Sequence, residues 1–331
     1  MLIPQKSSAG IAALSVEKAP MQLRLLGKTG LLVSALGFGA APLGGPYGQV
    51  TQAEATQAVR VALELGINFF DTSPWYQASE QVLGEALVGV PRESYVLCTK
   101  LGRYPDTQKP NGHFDFSAAR VRQSVDESLR RLRMDQLDIA LCHDIEFAED
   151  FNQILEETLP TLRECVAAGK VRFVGVSGLP LAIYPKVLES ASLDVILSYC
   201  HTSLNDNSLW DLIPYLDEKS VGVIGASPLA MGLLSDSGPQ PWHPAPEALR
   251  LACLQALAWC KTNGFSLAEL AVAWTLKNAP VATTLVGMTS EKQVRQNAAM
   301  VGVVPDPEAV KAIQAILAPV QRLTWPSGKF H

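Results

Sequence analysis

The sequence predicts an α/β fold: a (β/α)8 barrel of the TIM type, with an N-terminal β-hairpin and extended loops on its C-terminal face. Three observations predict it. Eight short apolar runs alternate with stretches of helical periodicity. Polar residues close several of those runs, at the end where such barrels build their sites. The rival open doubly wound sheet lacks its Gly-rich fingerprint: Gly37-Phe38-Gly39 begins one, but Pro42 stands where the third Gly belongs.

Along the chain, Met21–Leu26, the turn Gly27-Lys28-Thr29-Gly30 and Leu31–Val33 read as the hairpin. The eight strands end near Gly39, Ser73, Lys100, His143, Ser177, Tyr199, Ser227 and Gly287. Helices are expected over Ala53–Leu65, Ser117–Leu132, Ile154–Ala168, Leu209–Glu218 and Ser290–Met300. Thr51 with Glu54 three residues on has capping-box spacing, and Ser117 can cap the next helix. Gly66 and Gly169 stop two of the helices. The widest interval, Ser227 to Gly287, contains Gly232, Gly238, Pro239, Pro241, Pro244 and Pro246, which predicts a long loop at the mouth of strand seven. A second extended loop, Gly102–Phe116, follows strand three.

A length of 331 residues allows two domains. The strand count reduces this to one barrel domain over 21–331, with residues 1–20 as a disordered extension. That extension lacks a signal-peptide h-region. Its serines and few acids have the flavour of a transit peptide, but no Arg precedes Arg24.

Hydrophobic residues make up 48% and charged residues 18%, with mean hydropathy +0.14, which excludes a disordered chain. The net charge is −5 and no block of like charge stands out, so neither nucleic acid nor a membrane surface is an expected partner. The longest uncharged stretch, Thr29 to Ala53, holds six Gly and two Pro and cannot be a membrane helix. Six cysteines form no C-x-x-C, which fits free buried thiols, a reducing cytoplasmic compartment and no metal site.

The strand ends carry the chemistry. Asp71 closes the run Ile67–Phe70, Lys100 closes Tyr95–Thr99, and His143 closes Leu137–Cys142. Tyr76 lies five residues beyond Asp71. Adjacent barrel strands therefore aim an acid, a cation and an imidazole at one place, with a phenol beside them. A nearby ammonium favours phenolate and lowers the pKa of Tyr76, and Asp71 can hold Lys100 charged. Tyr76 could then exchange a proton with an alcohol or carbonyl while His143 orients the oxygen. Such a set suits hydride transfer to or from a nicotinamide. Taken singly, Asp71 also reads as a helix cap, Lys100 as a surface lysine and His143 as a loop histidine.

These residues resemble the tetrad of the aldo-keto reductase superfamily, and the resemblance runs from Met21 to His331. It implies Tyr76 as acid/base, Lys100 and Asp71 as its tuners, and His143 as the substrate-orienting group. Gly37–Gly44, Ile67–Tyr76, His143–Phe147, Asp194–His201, Gly225–Leu234 and Leu323–Gly328 are most similar to the plant-type, L-galactose-oxidising branch. That branch implies oxidation of L-galactose at C1 to L-galactono-1,4-lactone with NAD, a step of ascorbate synthesis.

The family pattern also assigns cofactor contacts. Ser227-Pro228-Leu229-Ala230-Met231-Gly232 corresponds to the pyrophosphate loop, where backbone N–H groups bind phosphate. Gly39, Ala40, Ser177, Ser198 and Gly287 fall at strand ends facing the cofactor. The positions that read a 2′-phosphate fall on Thr289 and Gln293, both neutral, which favours NAD. Lys292 or Arg295 could reach in, or form an exposed helix face. Gln296 and Asn297 match the adenine-contacting end of the motif.

Three departures stand out: Gly178 after Ser177 where relatives carry Asn, Leu197 in place of a Gln, and Ala226 in place of an aromatic. Tyr199 or Tyr47 could fill the freed space. For the sugar, Trp75, Asp144, Tyr199 and Trp325 offer aromatic faces and a carboxylate; Asp144 could instead cap a loop and Trp325 pin the C-terminus. His113 and His201 show no clear partner in the sequence. The competing readings are an NADPH-dependent reductase of another aldose or aldehyde, and a cofactor-binding regulatory subunit. A monomer or weak homodimer is expected.

Overall fold

The computed structural model describes residues 20–45, 49–109 and 111–330. The expected extension lies outside them apart from Pro20, as does Tyr47. Eight strands form a closed, wholly parallel barrel. They are β1 (Leu36–Gly39), β2 (Phe69–Asp71), β3 (Val96–Leu101), β4 (Leu137–Cys142), β5 (Val171–Gly178), β6 (Val195–Tyr199), β7 (Gly222–Ala226) and β8 (Thr283–Gly287). Each pairs with its sequence neighbours, and β8 closes on β1. The strand ends fall within two residues of those expected.

Side-chain alternation divides the barrel into two apolar layers. Phe69, Ile139, Leu197 and Leu285 pack in one cluster with Leu26, Leu31 and Val33 of the hairpin. Neighbouring positions such as Phe70, Leu97, Ala140 and Ile196 join the helix-facing layer. The expected hairpin is present as strands Leu23–Leu25 and Leu32–Ser34, and it closes the N-terminal end of the barrel. Leu26 is wholly buried there, a burial that contributes about 1.5–3 kcal/mol.

The helix signals hold. Thr51 and Glu54 form the reciprocal capping box of the helix Gln52–Glu64, and Ser117 caps Ala118–Leu132. Two expected helices are interrupted by proline. Ile154–Thr158 is a π-helical turn before the helix Leu159–Ala167, whose first turn holds Pro160. Ser208–Leu212 is a 3-10 turn before Ile213–Glu218, with Pro214 in its first turn. A proline has no N–H, so the regular ladder loosens one turn upstream. The Gly102–Phe116 loop carries a short antiparallel ribbon, Arg103–Tyr104 with His113–Phe114. Two-residue strands leave no periodicity to detect. After β7 the chain runs irregularly through Pro246 and then forms helices Glu247–Asn263 and Leu267–Asn278.

Candidate active site

Three adjacent strands bring the sequence-predicted tetrad together at the C-terminal mouth. Asp71 ends β2 and pairs in register with Cys98, and Lys100 follows two residues later on β3. Lys100 Nζ donates to Asp71 Oδ1 at 2.5 Å and to the Thr72 carbonyl at 2.9 Å. The Lys100 side chain is 1% exposed, so no solvent competes for this ion pair. Burial pulls the ammonium's pKa down, but Asp71 and neighbouring acids push it further up, and Lys100 stays charged. Burial raises Asp71 as well, against the pull of Lys100.

Tyr76 stands over this pair, with Lys100 Nζ 4.9 Å from its ring centroid. Its turn is placed by a close approach: a Cβ on Gly44 would lie 1.7 Å from the Tyr76 carbonyl, so only glycine fits there. The ammonium lowers the phenol's pKa, as the sequence predicts. Desolvation outweighs it, with Asp71 and Asp144 adding to the rise, and the phenol is pushed up to about 12. The expectation of a net lowered phenol is therefore reversed.

His143 packs edge-on against Tyr76, with ring centroids 5.6 Å apart. Ser73 Oγ lies 3.0 Å from His143 Nδ1 and accepts from the Trp75 N–H at 3.1 Å. Ser73 is wholly buried, and among the described residues Nδ1 is the one acceptor within reach of its hydroxyl proton, so the hydroxyl is set to donate to Nδ1. That assigns the ring proton to Nε2, on the side away from Ser73. Burial, then Lys100 and Arg103, hold the imidazole well below its usual pKa, so it is neutral.

Asp144 follows with a left-handed backbone (φ 52°). Its Oδ2 accepts from Arg103 Nη1 at 2.5 Å, and its amide N lies 3.4 Å from Ser177 Oγ. The Arg103 guanidinium stacks 4.0 Å over the Trp75 ring. Trp75 and Asp144 therefore join the tetrad through Arg103, a residue sequence reasoning missed because it is one charge in an irregular loop. Tyr199 lies on the barrel-interior side of β6, where Leu197 also points. Ser198 is turned the other way, toward Tyr184. Trp325 is 7% exposed and packs edge-on against His243 at 4.9 Å, which gives it a structural role. His201 proves well partnered, to Asp206 at 3.0 Å and the Leu179 carbonyl at 2.8 Å.

Gly178 has a specific neighbour. A Cβ there would lie 2.5 Å from Glu146 Oε2, so the buried Glu146 carboxyl occupies the space a larger residue would take. Glu146 Oε1 accepts from the Leu179 N–H at 3.0 Å and from the Ser327 hydroxyl at 2.8 Å. Desolvation and the nearby Asp144 raise this carboxyl to about 7.

The opposite side of the mouth suits a dinucleotide. After β7, Ser227, Ala230, Met231 and Gly232 all have positive φ, in an irregular turn where the Ala230 and Gly232 N–H groups donate to the Ser227 and Leu229 carbonyls. Leu229 is half-buried within it. Gly39 and Ala40 follow β1, where the Ala40 N–H donates to the Asp71 carbonyl at 2.8 Å and ties this edge to the tetrad. After Gly287, Thr289 donates from its N–H and hydroxyl to Gln293 Oε1, at 2.8 and 3.0 Å. Ser290 caps the helix Glu291–Ala299, which presents Gln293 and Gln296 to solvent and half-buries Asn297. Arg295 lies on the exposed face, paired with Glu291 at 2.7 Å.

Among the described residues no His, Cys, Asp or Glu cluster could hold a metal, and no helix is long and apolar enough to cross a membrane. All six cysteines are buried and free.

A barrel mouth that gathers a phenol, an imidazole and a buried ion pair has the groups an oxidoreductase working with a nicotinamide cofactor on a small molecule uses. The chain belongs to the aldo/keto reductase family, whose sequence pattern matches residues 35–318. It is 50% identical over 319 residues to L-galactose dehydrogenase of Arabidopsis thaliana, covering 93% of this chain and 98% of that one. It is 29% identical over 295 residues to D-threo-aldose 1-dehydrogenase of a Pseudomonas species, covering 81% and 89%. Among solved structures, the holo form of an aldo-keto reductase from Bacillus halodurans superposes with TM-score 0.75 at 28% identity. That match covers 94% of this chain and all of the other.

Proposed function

We propose that this protein oxidises L-galactose at C1 to L-galactono-1,4-lactone with NAD, in ascorbate synthesis. The 50% identity to the Arabidopsis enzyme supports the substrate. The observation that carries the chemistry is a neutral His143 and Tyr76 set side by side over a buried Lys100–Asp71 pair. We read the chain as cytoplasmic, from its six free buried cysteines, and as a monomer or weak homodimer, since one chain supplies the tetrad.

A bound nicotinamide supplies the hydride acceptor, and its oxidised ring brings a positive charge. The chain's part is to handle the proton. His143 Nε2–H donates to the C1 oxygen and orients it. As the C1–H leaves with its electron pair, the O–H proton passes to the Tyr76 phenolate oxygen and C1 becomes a carbonyl carbon. Lys100 favours the phenolate this requires, and Asp71 fixes Lys100 in place. A phenol that starts near 12 makes oxidation faster as pH rises. Trp75 and Asp144 line the sugar side, and Tyr199 faces the same interior.

The cofactor preference rests on charge. Thr289 spends its N–H and hydroxyl on Gln293 Oε1, which leaves only neutral amide donors there, Arg295 is held by Glu291, and Glu291 itself would repel a 2′-phosphate. The backbone cradle after β7 and the Gln296–Asn297 end fit the remainder of the dinucleotide.

One assay tests the reading: nucleotide reduction with L-galactose and a panel of other aldoses, with NAD and NADP at equal concentration, from about pH 6 to about pH 10. The expected result is NADH formation with L-galactose that rises with pH. It should fall by roughly 10²–10⁴ in Tyr76→Phe, which still binds NAD. A strong NADP preference, full activity in Tyr76→Phe, or cofactor binding without turnover on any sugar would overturn it.

A further inference from the structure

The charges around His143 are arranged asymmetrically. From β2 and its turn come Asp71 and Tyr76; from β3 and the ribbon, Lys100 and Arg103; from its own loop, Asp144 and Glu146; from β6, Tyr199. Asp71 is committed to Lys100. Asp144 therefore has two candidate partners, and its Oδ2 faces both. Arg103 Nη1 is 2.5 Å away, whereas His143 Nε2 is 3.6 Å away, beyond hydrogen-bond reach. The Asp144 side chain is only 3% exposed, so water does not arbitrate between them.

Arg103 is itself fixed from two further sides. Its Nε donates to the Asn111 carbonyl at 3.0 Å, and its guanidinium carbon lies 4.0 Å over the Trp75 ring centroid. A planar fork can hold a carboxylate, a carbonyl and a ring face at once, which an ammonium cannot.

Without Arg103, the buried Asp144 would be left with one nearby donor, His143 Nε2–H. A carboxylate beside an imidazole favours imidazolium and takes the N–H for itself. The substrate oxygen needs that same N–H. We propose that Arg103 is a positioning residue that holds Asp144 away from His143 and so keeps Nε2–H free for the substrate. This rests on the role given to His143 above and adds a residue to it.

The test reads His143 directly. In the full-length protein with 15N-labelled histidine, the imidazole signals are followed through a pH titration. The variants are Arg103→Met, Arg103→Lys and Arg103→Met/Asp144→Asn. In Arg103→Met the His143 pKa should rise by about one unit or more. The double variant should return it to the wild-type value, because the competing carboxylate is gone. Arg103→Lys keeps the charge and loses the ring contact, so the titration should stay close to wild type. In kinetics, Arg103→Met should lower kcat at neutral pH by roughly tenfold or more with a displaced pH profile. Arg103→Lys should mainly raise KM. An unchanged titration in Arg103→Met, or a raised one that Asp144→Asn does not reverse, overturns the proposal. If Arg103→Met does not fold, Arg103→Gln removes the charge and keeps a donor. The titration needs no turnover, so a wrong substrate assignment would show in the sugar panel and leave this result standing.

Discussion

The two ends of the barrel treat buried carboxylates differently. At the N-terminal end, Asp138 is wholly engaged. Its Oδ2 accepts from Arg92 at 2.6 Å and from the Leu97 N–H at 2.8 Å, and its Oδ1 accepts from Arg172 at 2.6 Å. Asp194 binds Arg163 at 2.6 Å and the Val174 N–H at 2.9 Å through Oδ2, while its Oδ1 faces only the Lys28 ammonium at 3.9 Å. At the C-terminal mouth, three buried carboxylates each keep one oxygen idle. Asp71 Oδ2 has only the Cys98 thiol near it, and Asp144 Oδ1 and Glu146 Oε2 have no hydrogen-bond partner. Buried polar atoms are nearly always satisfied, so idle carboxylate oxygens gathered at the mouth mark where the barrel keeps capacity for chemistry. The same residue type does structural work below and leaves capacity for a reacting molecule above.

Removing a charge at each end breaks that comparison in opposite ways. Lys100→Met has the largest expected effect. It leaves Asp71 buried without its cation, which costs roughly 3–5 kcal/mol of stability. It also removes the pull on the Tyr76 phenol, so kcat should fall by roughly 10²–10⁴. Steady-state rates together with thermal unfolding check both arms; wild-type kcat in a folded Lys100→Met protein would contradict the site. Asp138→Asn comes next. It weakens two Arg contacts and the hold on the Leu97 N–H, which costs about 1–3 kcal/mol. Its kcat should match wild type, since Asp138 starts β4 and His143 lies past the strand's other end. A large kcat loss there would show the two ends to be coupled.

How legible each end was follows from the same physics. Asp71, Lys100 and His143 could be read because a charged or polar residue closing an apolar run is conspicuous, and three on adjacent strands share one face. The hairpin and the capping box were legible because turn and cap chemistry is local. Arg103 was not, because what places it is a two-residue ribbon and the face of Trp75, contacts between chain segments with no periodic signature. Glu146 was missed for a related reason: its burial comes from Gly178 and from the C-terminal segment around Ser327, far apart in sequence. The sign of the Tyr76 shift is not legible in the sequence, because charge pairs show there whereas desolvation depends on how the whole mouth packs.

Glu146 gives the finest test of the comparison. Its carboxyl is raised to about 7 from an ordinary value near 4.5, chiefly by desolvation and then by Asp144. An acid whose pKa is higher in the folded state binds its proton more tightly there than in the unfolded chain. Protonation of Glu146 thus favours folding, and its contribution to stability declines as pH rises from about 4.5 to about 7. Glu146→Gln removes the ionisation while its side-chain oxygen can still accept from Leu179 and Ser327. The variant should therefore match wild type near pH 4.5 and exceed it at about pH 8, by on the order of 1–3 kcal/mol. Denaturant unfolding at the two pH values measures this. Equal stability at both would mean that the carboxylate is compensated after all, and that the mouth is as fully satisfied as the other end of the barrel.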